Sequence, residues 1–173
     1  MQDNHTFHTN PASGERIRWL LRSADTGGEL VRFEMWTRPG GGVRGTHVHA
    51  HSQERFEVLS GRLILESGDN QRVVLAGERA TVPTATPHRW RNGGTDELHM
   101  IVELDHPGQF ERMLEATFAA GRHGHFDDRG RMRPLAGAAL VRRYPDEIAP
   151  PWPRWLQRIV IPPLAIAGRR AIA

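Results

Sequence analysis

Gly41, His47, His49, Glu54 and Gly61 are separated by five, one, four and six residues, and Gly77, Pro83, His88 and Asn92 by five, four and three. Spacing of this kind fits a β-hairpin followed by a returning strand. Side chains alternate between faces along a strand, so His47 and His49 look into the same space. The polar stretch His51-Ser52-Gln53 can turn the chain. Glu54-Arg55-Phe56-Glu57-Val58-Leu59 then reads as a strand with Glu54, Phe56 and Val58 on one face. Such a hairpin sets Glu54 beside the two imidazoles. Gly61 ends the strand where a tight turn is needed. His88 arrives from a separate strand. Three imidazoles and one carboxylate suit a single divalent transition metal, with Fe, Mn, Ni and Zn as candidates. Burying those four groups without an ion would leave them poorly compensated. As ligands they leave one or two coordination positions open, which is how catalytic metal sites are built.

The rest of the chain supplies strands around this pattern. Ile17, Trp19 and Leu21 alternate with arginines, and residues 29–37 place Val31, Phe33 and Met35 on one face and Arg32, Glu34 and Trp36 on the other. Arg62–Glu66 and Arg72–Leu75 flank Ser67-Gly68-Asp69-Asn70, a hairpin signal. Residues 79–83, 88–91 and 98–104 complete a set of short strands that argues for a barrel or sandwich. Phe110, Met113, Leu114, Thr117 and Phe118 then recur at helical spacing up to Gly121, and that helix is expected to cover an open end of the barrel. Residues 122–134 read as a loop and 135–149 as a helix. The tail from Pro150 carries Trp152, Trp155, Ile159 and Leu164 but is broken by two proline pairs, which argue against a continuous amphipathic helix.

The two runs resemble the paired signature motifs of the cupin superfamily. The first matches at every defined position. The second matches at Gly77, Pro83, His88 and Asn92 and departs at Ala85, where the family usually has glycine; alanine disfavours a positive φ there. The resemblance implies an all-β fold, a cupin-type double-stranded β-helix (jelly-roll) barrel, here with a helical C-terminal extension. It divides the chain into a flexible arm (1–14), the barrel (15–104) and an extension (105–173) packing on the barrel or a partner subunit. It implies His47, His49, Glu54 and His88 as ligands of one divalent metal. It also implies a dioxygenase, decarboxylase, isomerase or polyketide-cyclase type of reaction. The expectation is a small metalloenzyme acting on a hydrophobic or aromatic oxygenated small molecule by Lewis-acid activation, with Glu54 as the base. The alternative is a non-catalytic cupin that binds a small molecule. Phe56 and Trp90 share strand parity with Glu54 and His88 and are expected to line the substrate pocket. Arg32 and Trp36 join them if their face of the strand points inward; a solvent-facing or subunit-facing surface fits that alternation equally. Asn92 is expected to satisfy backbone groups at its turn. A homodimer is expected, because the strand over Arg16–Arg22 lies outside the motif region and cupins often pair such strands.

Composition narrows the functional classes. The chain has 173 residues and no cysteine, so thiolate catalysis and disulfides are absent. It has no lysine, and its 23 basic residues are all arginine, so Schiff-base chemistry is excluded. The formal net charge is only +3, with arginines interleaved among acids, and no nucleic-acid partner is expected. The polar N-terminus has no signal-peptide pattern, and a cytoplasmic location is the default expectation. Membrane contact by the C-terminal tail is not expected, since the prolines interrupt it.

Overall fold

The computed structural model describes residues 6–43 and 45–168. Among these, nine strands form two antiparallel sheets. The strands are β1 (His8–Thr9), β2 (Arg16–Leu21), β3 (Leu30–Thr37), β4 (Glu54–Ser60), β5 (Arg62–Ser67), β6 (Asn70–Leu75), β7 (Arg79–Val82), β8 (His88–Asn92) and β9 (Leu98–Asp105). The larger sheet runs β1-β2-β3-β9-β4-β7 and the smaller β6-β5-β8. The ladders do not close them into one continuous barrel.

Apolar alternation sets which face is inside. Val31, Phe33 and Met35 of β3 pair with Leu104, Val102 and Met100 of β9. These pair in turn with Glu54, Phe56 and Val58 of β4. Cross-strand partners share a face, so Glu54 lies on the same inner face as this apolar set. Leu63, Leu65 and Trp90 of the small sheet fill the space opposite.

The segment 40–49 extends the small sheet along β8. Asn92 N–H donates to the Gly41 carbonyl and Trp90 N–H to that of Val43, while His47 and His88 exchange both backbone bonds. The pairing shifts by two residues between Val43/Trp90 and His47/His88. Turn glycines hold the hairpins together. Gly61 has φ 87, and a Cβ there would lie 2.9 Å from both the Glu97 carbonyl oxygen and Leu98 Cα.

Ala85 has φ 58, so alanine occupies the left-handed region that a glycine would adopt without cost. Its N–H donates to the His49 carbonyl at 2.9 Å, which ties this turn to a metal-ligand candidate. Ala85→Gly is expected to stabilise the protein by ~0.5–1 kcal/mol in urea unfolding, relief of the strain outweighing the extra freedom of the unfolded chain. A loss of stability would mean that the turn is unstrained.

Three helices follow the sheets: α1 (Phe110–Arg122), α2 (Pro134–Arg143) and α3 (Arg154–Gly168). Phe110, Met113 and Phe118 of α1 enter the main core, so α1 covers one end of the sheets as its spacing predicts. Two expectations change. Residues 144–149 do not continue α2. Ala149 exchanges backbone bonds with Val48, and Ala50 N–H donates to Asp146, so this turn is tied to the ligand segment by a single bridge and one further bond. The tail also forms a helix straight through Pro162 and Pro163. These prolines cost the carbonyls of Arg158 and Ile159 their donors, but both residues are exposed and water can serve instead. At the other end, within the expected arm, Asn10 is fully buried and holds Ala12 and Ser13 N–H groups with its Oδ1, while Phe7 is exposed.

Candidate metal centre

His47, His49, Glu54 and His88 meet inside the fold. One ligand atom from each lies within 4.8 Å of the others, and all four residues are buried. The imidazole centroids are 4.2 to 5.2 Å apart. His47 and His49 come from the segment paired with β8, His88 from β8 itself and Glu54 from β4 of the large sheet, so the site lies between the two sheets and the expected pairing of the histidine segment with the Glu54 strand does not form.

Backbone carbonyls orient each ring. His47 Nδ1 donates to Gly45 O at 3.2 Å, His88 Nδ1 to Thr86 O at 2.9 Å, and His49 Nδ1 to the Glu147 carbonyl. Spending Nδ1 on a carbonyl fixes the tautomer and turns Nε2 inward, which is how metal-binding histidines are held. Two of those carbonyls lie two residues from their own histidine. The third comes from the segment that follows α2, so the C-terminal extension is part of the site.

Glu54 Oε2 lies 2.9 Å from His88 Nε2 and 3.7 Å from His49 Nε2. His49 Nε2 is buried without a hydrogen-bond partner. A buried lone pair in that position is costly unless something occupies the centre. Burial pushes the His47 pKa down to about 3, with help from His88 and His49. Burial lowers His49 as well. Burial opposes the charge of Glu54, but the His88 hydrogen bond and the nearby imidazoles hold its pKa below the usual carboxylate range. Burial would lower His88 too, yet the Glu54 hydrogen bond and charge outweigh it and raise its pKa. The cluster therefore offers two neutral imidazoles and a carboxylate that shares a proton with the third imidazole. The donor set fits a divalent transition ion, whose binding would displace that proton.

Phe56 and Trp90 lie on the ligand-bearing faces of β4 and β8, nearly fully buried, with ring centroids 6.2 Å apart. Arg32 and Trp36 do not reach the centre. They share the outward face of the large sheet, opposite Val31 and Phe33. Arg32 lies 3.9 Å from both Glu57 and Glu103, and Trp36 stacks on His99 at 4.4 Å. Three apolar side chains on the other parity of β3 take the inside, which leaves these two facing out. Asn92 acts as expected, its Nδ2 donating to the Thr37 and Asp96 carbonyls and its Oδ1 accepting from Gly94 N–H.

Two contributors were not apparent from the sequence. Phe110 of α1 packs edge-on against His49 at 5.7 Å and stacks on Phe33 at 6.1 Å. Its helical spacing announced burial but not its neighbour. Glu147 offers a backbone carbonyl, which has no side-chain signature. Its carboxylate also accepts from Gln109 N–H at the start of α1, so it joins the helix to the ligand segment.

Comparison with known proteins agrees with this geometry. The cupin domain family matches residues 34–103, which include both motifs. Over 78 residues the chain is 26% identical to quercetin 2,3-dioxygenase of Bacillus subtilis, covering 45% of this chain and 23% of that one. The chain thus spans about a quarter of that relative's length. A predicted oxalate decarboxylase of Thermotoga maritima is 18% identical with a TM-score of 0.50, over 58% of this chain and 90% of that one. A sugar phosphate isomerase of Silicibacter pomeroyi is 18% identical with a TM-score of 0.47, over 54% and 60%. At 18% identity the likeness to the Thermotoga maritima protein speaks for the fold alone.

Proposed function

We propose that this chain, a member of the cupin superfamily through residues 34–103, holds one divalent transition metal on His47, His49, Glu54 and His88. In this reading it is a small metalloenzyme acting on a hydrophobic or aromatic oxygenated molecule. The observation that carries the reading is the convergence of three carbonyl-oriented imidazoles on one carboxylate, with His49 Nε2 buried and unpartnered. A bound ion would supply Lewis-acid activation of a substrate oxygen and, if redox-active, electron exchange with dioxygen.

The chain's own residues do the rest. The three histidines keep their inward nitrogens fixed through Gly45, Thr86 and Glu147. Glu54, once released from the ion, would accept the proton of a substrate hydroxyl at Oε2. Phe110 beside His49, with Phe56 and Trp90 deeper in the core, makes the surroundings apolar and keeps bulk water from the reacting atoms. The likeness to quercetin 2,3-dioxygenase makes quercetin the first substrate to try.

The test is dioxygen uptake and quercetin loss with protein loaded in turn with Fe(II), Mn(II), Ni(II) or Zn(II). Turnover is expected in a redox-active form, with Glu54→Gln slower by about 100-fold or more. Full loading without turnover of quercetin or a panel of phenols would leave a non-catalytic binding protein.

A further inference from the structure

Helix α3 buries only one narrow side. Ile161, Ala165 and Gly168 pack on α2, so closely that a Cβ on Gly168 would fall 2.0 Å from the Leu135 carbonyl oxygen. The other side is apolar and bare. Trp155 and Ile159 are each 64% exposed and Ile166 is 58% exposed, with Trp152 exposed just before the helix. Positions 155, 159, 163 and 166 recur every three or four residues and form one stripe. Scattered exposed apolar residues are ordinary; a continuous stripe marks a surface that something covers.

Charge identifies what covers it. Residues 148–173 contain Arg154, Arg158, Arg169 and Arg170 and no acid, and of these Arg154 lies 3.6 Å from Asp146 just before them. Arg154 and Arg158 stand in a row beside Trp155 and Ile159. Next to this row a groove of about 610 Å³ lies between α3 and residues 48–51, with Trp152 and Ile161 among its walls and Arg142, Arg154 and Arg158 at its edge. A second copy is a poor fit. Two copies of α3 placed face to face would oppose arginines to arginines, with only Asp146, beside Arg154, to offset them in each copy. A negatively charged bilayer surface offers phosphates to the arginines and an apolar boundary to the tryptophans and isoleucines. No helix among the described residues is long and apolar enough to cross a membrane, so contact would lie along the surface.

We propose that α3 docks this protein flat on an anionic lipid bilayer. Trp152, Trp155, Ile159 and Ile166 enter the headgroup–acyl boundary, and Arg154 and Arg158 meet the phosphates. This replaces the expectation that the tail avoids membranes, which rested on the prolines interrupting the helix. The proposal is independent of the metal reading.

The test uses the full chain and vesicles of phosphatidylcholine alone or mixed with phosphatidylglycerol. The protein is expected to sediment with the mixed vesicles at low salt, with a blue shift in tryptophan emission, and not with phosphatidylcholine. Trp155→Ser/Ile159→Ser, which alters only exposed positions, should weaken partitioning by about tenfold or more while melting temperature stays unchanged. No sedimentation with mixed vesicles, or an undiminished signal in the variant, would overturn the proposal. A dimer in light scattering that the same variant breaks, without vesicle binding, would overturn it in favour of a second copy.

Discussion

His49→Ala abolishes the stabilisation that a divalent metal gives the wild-type protein. At a metal concentration 100 times the dissociation constant, a folded-state site adds ~2.7 kcal/mol to the unfolding free energy. Removing even an outer hydrogen-bond partner of a ligand typically costs ~10–100-fold in affinity, and His49 would itself be a ligand. A site 100-fold weaker would retain only ~0.4 kcal/mol at that concentration. The metal-free variant should be less stable than the metal-free wild type by ~1–3 kcal/mol, because the Glu147 carbonyl loses its buried donor. The imidazole it loses carries a buried, unpartnered Nε2, so its removal offsets part of the packing lost with the ring. Urea unfolding of both proteins, with and without metal, measures the difference. Equal metal stabilisation in the two would remove His49 from the ligand set.

Phe110→Ala is expected to destabilise the protein by ~3–5 kcal/mol through the cavity it leaves. The ring is 6% exposed. It joins α1 to Phe33 and rests edge-on against His49. Unlike His49→Ala, this change leaves all four ligands in place, so stoichiometric metal binding should persist with weaker affinity. Urea unfolding beside metal titration separates the two effects. A loss below ~1 kcal/mol would mean that α1 contributes little to covering the site.

The site was readable because its ligands obey local rules. His47 and His49 share strand parity, Glu54 opens the next strand, and His88 lies on a separate strand with its own turn residues, although the histidine segment pairs with the His88 strand and not with that of Glu54. Most of the strands around them were legible from alternation and from the glycine, proline or asparagine near their ends, whereas β1 lies in the segment read as an arm. Parity alone left Arg32 and Trp36 open between the inner and outer faces. The alternation separates two faces, but the inner one is decided by the partners of Val31, Phe33 and Met35 on β9, which pairing brings from seventy residues away. The Glu147 carbonyl was hidden for a different reason, since any residue can supply a carbonyl and only the returning chain places it. The continuity of α3 through Pro162-Pro163 depends on solvent reaching two carbonyls, which follows from the helix's exposure and not from its composition.

The most direct test of the four-ligand site is elemental analysis of the full chain, purified without an affinity tag or added metal and then titrated with Fe(II), Mn(II), Ni(II) and Zn(II). The site described here predicts close to one equivalent of a divalent transition metal, as isolated or after titration. Purified protein that carries none and takes up none of the four ions would contradict it.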